Sequence, residues 1–310
     1  MTKLDEKEII KIFQKGFGRQ VSEDVETFPL GKKLCVIKTD TLVESTDIPP
    51  KMTLHDAARK SIVACVSDFA SKGVRPSYCI ISVAIPRKYS AKKIKEIADG
   101  FRDASKEFGF KILGGDTNEG EELVLSVSFF GIADDIVHRK GARTGDSIIV
   151  TGPFGNASAG LKHVMSGKKA EPKFARKIKD TVYHPMPRLG FGVSAAKYLS
   201  SAMDSSDGLS TTLVEMSAQS KKKFVISSLP MDPDLERFAR QNRLDVIDLV
   251  FNGGEEYEIV ATVPQKNLKK VKQIAKSRKI SLIEIGMVEK GSGVFLADKK
   301  IKAGGWLHFR

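Results

Sequence analysis

The sequence predicts an α/β (α+β) protein made of two consecutive domains, residues 1–138 and 139–310. Three observations lead to this prediction. Apolar, β-branched runs typical of strands alternate with apolar stripes of helical spacing. A turn at 143–146 separates one such series from a second. The length of 310 residues is sufficient for two buried cores.

In the first domain the pattern predicts a mixed sheet with two helices. Strands are expected at 32–42, 77–85, 110–113 and 122–132, and helices at 54–72 and 90–108. Gly73 and Pro76 follow the first helix, and these are residue types that end helices.

In the second domain the pattern predicts α+β structure. A buried strand is expected at 147–151, followed by mainly helical structure from 156 to 220. Further strands are expected at 223–227, 257–263, 281–288 and 293–297.

The composition argues against several classes of protein. The net charge is +13, but the basic residues are spread over helix-like stretches without interleaved aromatic residues, which does not favour specific nucleic-acid binding. No apolar run reaches the roughly 18–20 residues of a membrane span, and the N-terminus has no signal-peptide pattern. Cys35, Cys65 and Cys79 lie in apolar contexts without ligand spacing. We therefore expect a cytoplasmic protein with reduced core cysteines.

Acidic residues in apolar surroundings carry the chemical prediction. Asp40 ends an apolar strand, Asp68 lies on an apolar helix, and Asp116 follows two glycines. Asp204 and Asp207 lie together in the segment 203–209, and Asp24 lies in the segment 21–25. Taken singly, Asp207 could cap a helix and Asp24 could lie on a solvated turn. Carboxylates about 4 Å apart repel by roughly 4 kcal/mol at an effective dielectric constant near 20, so a cluster would need cations. Mg²⁺ suits oxygen ligands, whereas five histidines without ligand spacing disfavour zinc.

Glycine-rich segments would supply the phosphate contacts. Gly114 and Gly115 precede Asp116, and the segment 151–156 opens a helix whose N-terminus would attract an anion. The chain has neither a P-loop nor a protein-kinase signature. The residues by themselves predict metal-dependent phosphate chemistry on another fold.

An ordered series of motifs resembles the thiamine-monophosphate kinase family, within the superfamily of aminoimidazole-ribonucleotide synthetase, selenophosphate synthetase and hydrogenase-maturation dehydratases. The series covers nearly the whole chain: Glu23-Asp24, Thr39-Asp40-Thr41-Leu42-Val43, Ser67-Asp68-Phe69-Ala70, Gly114-Gly115-Asp116-Thr117, Asp204-Ser205-Ser206-Asp207-Gly208-Leu209, Gly253-Gly254-Glu255-Glu256-Tyr257-Glu258 and Gly305-Trp306-Leu307-His308-Phe309.

The resemblance implies a two-domain PurM-like architecture, with an N-terminal domain that binds metal and nucleotide and pairs in a homodimer. It implies direct in-line phosphoryl transfer from ATP to thiamine monophosphate, with several Mg²⁺ ions per site and no strong base. By motif, the metal ligands would be Asp24, Thr39, Asp40, Asp68, Asp116, Asp204 and Asp207. Gly115, Asp116, Arg139 and Ser206 would bind the nucleotide, and Asp47, Glu255 and Trp306 the substrate.

Three departures from the family pattern bear on the substrate and the metals. Ser22-Glu23 stands where the family has Gly-Asp, Lys38 replaces a small polar residue beside Thr39, and Asp47 stands in the substrate loop. The alternatives are a sister ATP-dependent synthetase or cyclo-ligase with another small substrate, and, from a different class, a non-catalytic basic protein that binds nucleic acid.

Overall fold

The computed structural model describes residues 4–16 and 23–306. Ser22 and the segment 307–309, which belong to motifs used above, lie outside the described residues. Among the helices of the described part, none is both long and apolar enough to cross a membrane. All three cysteines are buried and free, in agreement with their prediction as core residues.

The N-terminal half contains a five-stranded sheet in the order β1-β2-β5-β3-β4. Its elements are α1 (Glu6–Gly16), β1 (Glu26–Leu30), β2 (Lys33–Val43), α2 (Glu44–Asp47), α3 (Leu54–Ser71), β3 (Pro76–Pro86), α4 (Ala91–Phe108), β4 (Lys111–Gly120) and β5 (Val124–Ala133). The strand predicted at 110–113 is longer than expected, because β4 continues through Gly114 and Asp116 beside β3.

The C-terminal half contains a seven-stranded sheet with helices packed against it. It comprises β6 (Ser147–Val150), α5 (Asn156–Ser166), α6 (Pro172–Tyr183), α7 (Leu189–Ala195), a 3-10 turn (Ala196–Tyr198), β7 (Ser201–Ser205), α8 (Leu209–Ser220), β8 (Lys223–Ile226), α9 (Pro233–Asn242), α10 (Val246–Asn252), β9 (Glu258–Val263), α11 (Gln265–Ser277), β10 (Ile283–Glu289), β11 (Gly293–Leu296) and β12 (Lys299–Ile301). The sequence pattern missed β7, which lies inside the region predicted to be mainly helical.

Helix α3 joins the two halves. Thr53 caps its N-terminus by accepting a hydrogen bond from the Asp56 N–H, and most of its side chains from Ala57 to Ser71 are buried. Phe69 and Ala70 share one apolar core with Phe191 of α7 and Ile259 of β9. The helix therefore packs against the first sheet on one side and against the second half on the other.

Candidate active site

The structure brings three of the predicted metal ligands together. Asp24 lies just before β1, Asp68 lies near the end of α3, and Asp204 lies on β7, and all three are buried. One carboxylate oxygen from each lies within 4.8 Å of the others. In the described part of the chain this is the one group of acidic, histidine or cysteine side chains with such spacing. We call Asp24, Asp68 and Asp204 the acidic cluster.

Two cations, the buried Lys72 and the partly buried Arg139, hold Asp24. The Nζ atom of Lys72 lies 2.8 Å from Asp24 Oδ2, and Arg139 donates from Nε to Asp24 Oδ1 at 2.7 Å and also from Nη2. Ser71 donates to the same carboxylate at 2.9 Å. Burial alone would raise the pKa of Asp24, but Lys72 and Arg139 outweigh it and lower that pKa to about 2. Asp24 is therefore ionised at neutral pH.

The negative charges of Asp68 and Asp204 are less completely neutralised by neighbouring cations than that of Asp24. Burial raises the pKa of Asp68 to about 6 although Lys38 opposes it, and Asp24 adds to the rise. Burial, followed by Asp68 and Asp24, raises the pKa of Asp204 well above its ordinary value. Two carboxyl groups in contact with each other and with raised pKa values form a site that a cation would stabilise. The oxygen-only donor set and this excess of negative charge fit Mg²⁺.

The strands of the first sheet place the remaining predicted ligands on two different faces. Asp40 pairs in register with Val127, on the inward face with the core, and its charge acts on Asp68. Thr39 pairs with Ser128 on the outward face, and the Ser128 hydroxyl donates to Thr39 Oγ1 at 2.9 Å. The structure therefore brings Asp40, but not Thr39, towards the acidic cluster.

Asp116 also lies apart from the acidic cluster. It is exposed on the edge strand β4, in register with Ser82, and its carboxylate accepts a hydrogen bond from Asn118 at 2.8 Å. Asp207 is exposed as well, and Gly208 rather than Asp207 occupies the N-cap position of α8. The expectation that all six aspartates converge is thus not met in this chain alone.

Gly115 is required by packing within the sheet. A Cβ atom at this position would lie 1.6 Å from the carbonyl oxygen of Ile81 on β3. This close approach is sufficient to explain the glycine, and the nucleotide contact expected of Gly115 stays a prediction.

A second group of predicted residues forms the rim of the site. The Glu255 N–H donates to the Ser206 carbonyl at 2.6 Å, and the Trp306 N–H donates to the Asp207 carbonyl at 2.9 Å. Glu255 has a φ of 66°, a left-handed conformation that is costly for a residue with a side chain. The Trp306 side chain is 57% exposed. These contacts bring together the segments expected to bind nucleotide and substrate.

Lysines that the sequence analysis missed support this rim and the acidic cluster. Lys60 on α3 is 3% exposed and donates to the Asp47 carbonyl at 2.8 Å and to Glu255 Oε1 at 2.5 Å. Lys72 is completely buried and contacts Glu23 as well as Asp24. The sequence signal that could have identified Lys60 and Lys72 is a lysine within, or directly after, an otherwise apolar helix. The Asp47 carboxylate accepts from the Val43 N–H at 2.7 Å, so its described contact is with its own loop.

The N-terminus of α5, expected to attract a phosphate, is occupied by the carboxyl group of Glu256. Glu256 accepts hydrogen bonds from the N–H groups of Gly155 at 2.6 Å and Ala157 at 3.1 Å. Its neighbour Glu258 pairs with Arg188 and accepts from the Thr151 hydroxyl at 2.6 Å. The expectation of a phosphate at 151–156 is therefore wrong, because internal acids already satisfy this helix end.

Both halves match known family models. The model described as AIR synthase related protein, N-terminal domain, matches residues 23–133, and the corresponding C-terminal domain matches 143–299. The fold and the buried carboxylates thus define a protein of the AIR synthase related class.

Comparison with individual relatives shows which family within this class the chain resembles. The chain is 54% identical to the thiamine-monophosphate kinase of Nitrosopumilus maritimus, over 100% of both chains. It is 31% identical to the Pyrococcus horikoshii thiamine-monophosphate kinase, over 100% of this chain and 98% of the relative. A solved structure of AaThiL complexed with AMPPCP and TMP has a TM-score of 0.89 at 26% identity, over 99% of this chain and 98% of that one. The chain belongs to the thiamine-monophosphate kinase family, and the predicted family and PurM-like fold are confirmed.

Proposed function

We propose that this protein transfers the γ-phosphoryl group of ATP to thiamine monophosphate, giving ADP and thiamine diphosphate. An oxygen of the acceptor phosphate forms the new bond to the γ-phosphorus, while the bond from that phosphorus to the β–γ bridging oxygen breaks and ADP leaves. The observation that carries the proposal is the buried acidic cluster, in a chain 54% identical to a thiamine-monophosphate kinase over its full length. The acceptor oxygen is already anionic, so positioning and charge neutralisation are sufficient without a strong base.

Asp24, Asp68 and Asp204, with Asp40 beside them, would hold Mg²⁺. The raised pKa values of Asp68 and Asp204 support this assignment, because they report negative charge that the protein itself leaves incompletely neutralised. Bound Mg²⁺ supplies charge neutralisation at the phosphate oxygens. Thr39, Asp116 and Asp207 remain predicted ligands.

A cleft next to Arg139 is a candidate place for part of the nucleotide, although the predicted contacts Gly115, Asp116, Arg139 and Ser206 are not among its lining residues. It encloses about 620 Å³ and is lined by His138, Lys140 and Lys197, among other residues. Lysine side chains suit a polyphosphate, and Arg139 already spans from this segment to Asp24.

The rim offers the complementary chemistry for a cationic heterocycle. The Glu255 carboxylate supplies negative charge, and the exposed Trp306 ring could stack on a thiazolium. Lys60 would position Glu255 rather than touch the substrate. The Asp47 carboxylate accepts from the Val43 N–H at the end of β2, and Asp47 remains a predicted substrate contact.

We further propose a cytoplasmic homodimer that pairs through the N-terminal domain, residues 1–138, with residues 139–310 as the second domain. The N-terminal sheet leaves large apolar side chains exposed, which is typical of an interaction surface: Phe28, Leu30, Tyr78, Ile80, Leu113 and Ile132. Sedimentation analysis would test this part separately.

The activity is tested by incubating the protein with ATP, Mg²⁺ and a panel of phosphate monoesters, with products identified by mass spectrometry. We expect thiamine diphosphate from thiamine monophosphate, and a loss of at least about 100-fold in Asp68→Asn. The matched control is Asp134→Asn, whose carboxylate is 82% exposed beside Lys33. Turnover only with a different acceptor would support a sister enzyme, and salt-sensitive nucleic-acid binding without ATP turnover would support a non-catalytic protein.

A further inference from the structure

Lys38 places a positive charge directly against the acidic cluster. It lies on the inward face of β2, two residues from Asp40, and its Nζ atom is 2.8 Å from Asp68 Oδ2. The Lys38 side chain is 27% exposed and the Asp68 side chain 8%. This ammonium therefore lies at the boundary between the cluster and the open part of the site.

The two other cations near the acidic cluster contact Glu23 and Asp24 rather than Asp68. Lys72 is fully buried, forms ion pairs with Glu23 at 2.7 Å and Asp24 at 2.8 Å, and donates a hydrogen bond to the Ala202 carbonyl at 3.0 Å. Arg139 binds Asp24 through its side chain and Glu23 through its backbone N–H. Both cations thus serve the 23–24 segment, and Lys38 is the cation that the structure pairs with Asp68.

We propose that the Lys38 ammonium takes the place of one divalent cation beside Asp68, so that this protein binds one metal ion fewer than the same site without the lysine. A divalent ion coordinated by Asp68 Oδ2 would lie about 2.1 Å from that oxygen, in the space that the ammonium now fills. Two cations so close would repel each other. The proposal rests on the proposed function only in requiring that the site binds metal.

The position of the lysine explains how its charge acts on the site. Lys38 and Asp40 lie on the same face of β2, and the Lys38 Nζ atom is 2.8 Å from Asp68, so the ammonium lies next to two of the proposed metal ligands.

The test is to count bound metal. Wild type, Lys38→Met and Lys38→Arg would be titrated with Mn²⁺ in the presence of ADP, and free Mn²⁺ followed by electron paramagnetic resonance. We expect Lys38→Met to bind one more ion per chain than wild type, and Lys38→Arg to match wild type. Lys33→Met is the matched control, since Lys33 lies on the same strand but pairs with Asp134 outside the site. An equal count in Lys38→Met and wild type would refute the proposal.

Crystals of the wild-type protein with ADP and Mn²⁺ provide a second test that does not depend on the folding of a variant. Anomalous scattering locates each ion. An ion coordinated by Asp68 Oδ2 with the Lys38 side chain displaced would overturn the proposal, whereas Lys38 retained on Asp68 would support it. Neither experiment requires phosphoryl transfer. The proposed kinase activity and the role of Lys38 can therefore fail independently.

Discussion

The buried side chain of Glu256 allows a prediction of how the unfolding free energy changes with pH. Its side chain is buried against the N-terminus of α5, and burial above all raises its pKa from 4.5 to about 8, although the Ala157 and Gly155 N–H groups oppose the rise. The folded protein therefore holds a proton that the unfolded chain releases over this pH range. Stability is fully present below the unfolded pKa and is lost as the pH rises towards the folded pKa.

Replacing Glu256 by Gln keeps the shape and an acceptor for the helix N–H groups but removes this titration. One pKa unit corresponds to about 1.4 kcal/mol, so the rise in pKa is equivalent to at most about 5 kcal/mol. We expect Glu256→Gln to match wild type near about pH 5 and to be more stable by about 3–5 kcal/mol near about pH 9.

Urea unfolding at the two pH values would measure this difference. Glu236→Gln is the matched control, because Glu236 lies on α9 with a side chain 59% exposed. Parallel pH profiles for wild type and Glu256→Gln would refute the reasoning, since they would mean that Glu256 has the same proton affinity in both states.

Three further predictions concern the site. Burial raises the pKa values of Asp204 and Asp68, the latter to about 6, so Mg²⁺ must displace protons when it binds. Calorimetry in two buffers should show proton release and an Mg²⁺ affinity that increases from about pH 5.5 to about pH 8. An Mg²⁺ affinity that does not depend on pH would contradict this prediction. Lys60→Met should raise KM for thiamine monophosphate about tenfold and leave KM for ATP nearly unchanged, because it frees Glu255; equal effects on both would argue for a general structural role. Gly115→Ala should lower the unfolding free energy by at least about 2 kcal/mol without any nucleotide, because its Cβ meets the Ile81 carbonyl. Gly16→Ala should not, because among the described residues no atom lies within 4 Å of a Cβ at that position.

The sequence was most informative where the polarity of a residue differs from that of its neighbours. Asp68 could be identified because a carboxylate on an apolar helix is costly unless something compensates it. The strand β2 could be predicted from its β-branched and apolar residues, and its alternation explains why Lys38 and Asp40 share one face.

Other parts could not be predicted, for identifiable physical reasons. The strand β7 is five residues long and contains Ser, Ala, Met and Asp, which have no marked strand preference; it is a strand because it pairs with β9. Lys60 and Glu255 are 195 positions apart, so their contact exists only in the folded chain. The sequence also does not distinguish Glu255 from Glu256, although one faces the rim and the other caps a helix.

The buried contacts of α3 and Lys72 limit how the molecule can admit its substrates. Lys72 ties Asp24 of the first half to the Ala202 carbonyl of the second, and Gly192 of α7 approaches α3 so closely that a Cβ would lie 1.9 Å from the Ala70 oxygen. Separating the halves would remove the Ala202 carbonyl from the buried Lys72 amine and expose the apolar core that the two halves share. We therefore expect substrate entry and product release to involve the short segments around Asp47, Glu255 and Trp306, while the contacts between α3 and the second half stay in place.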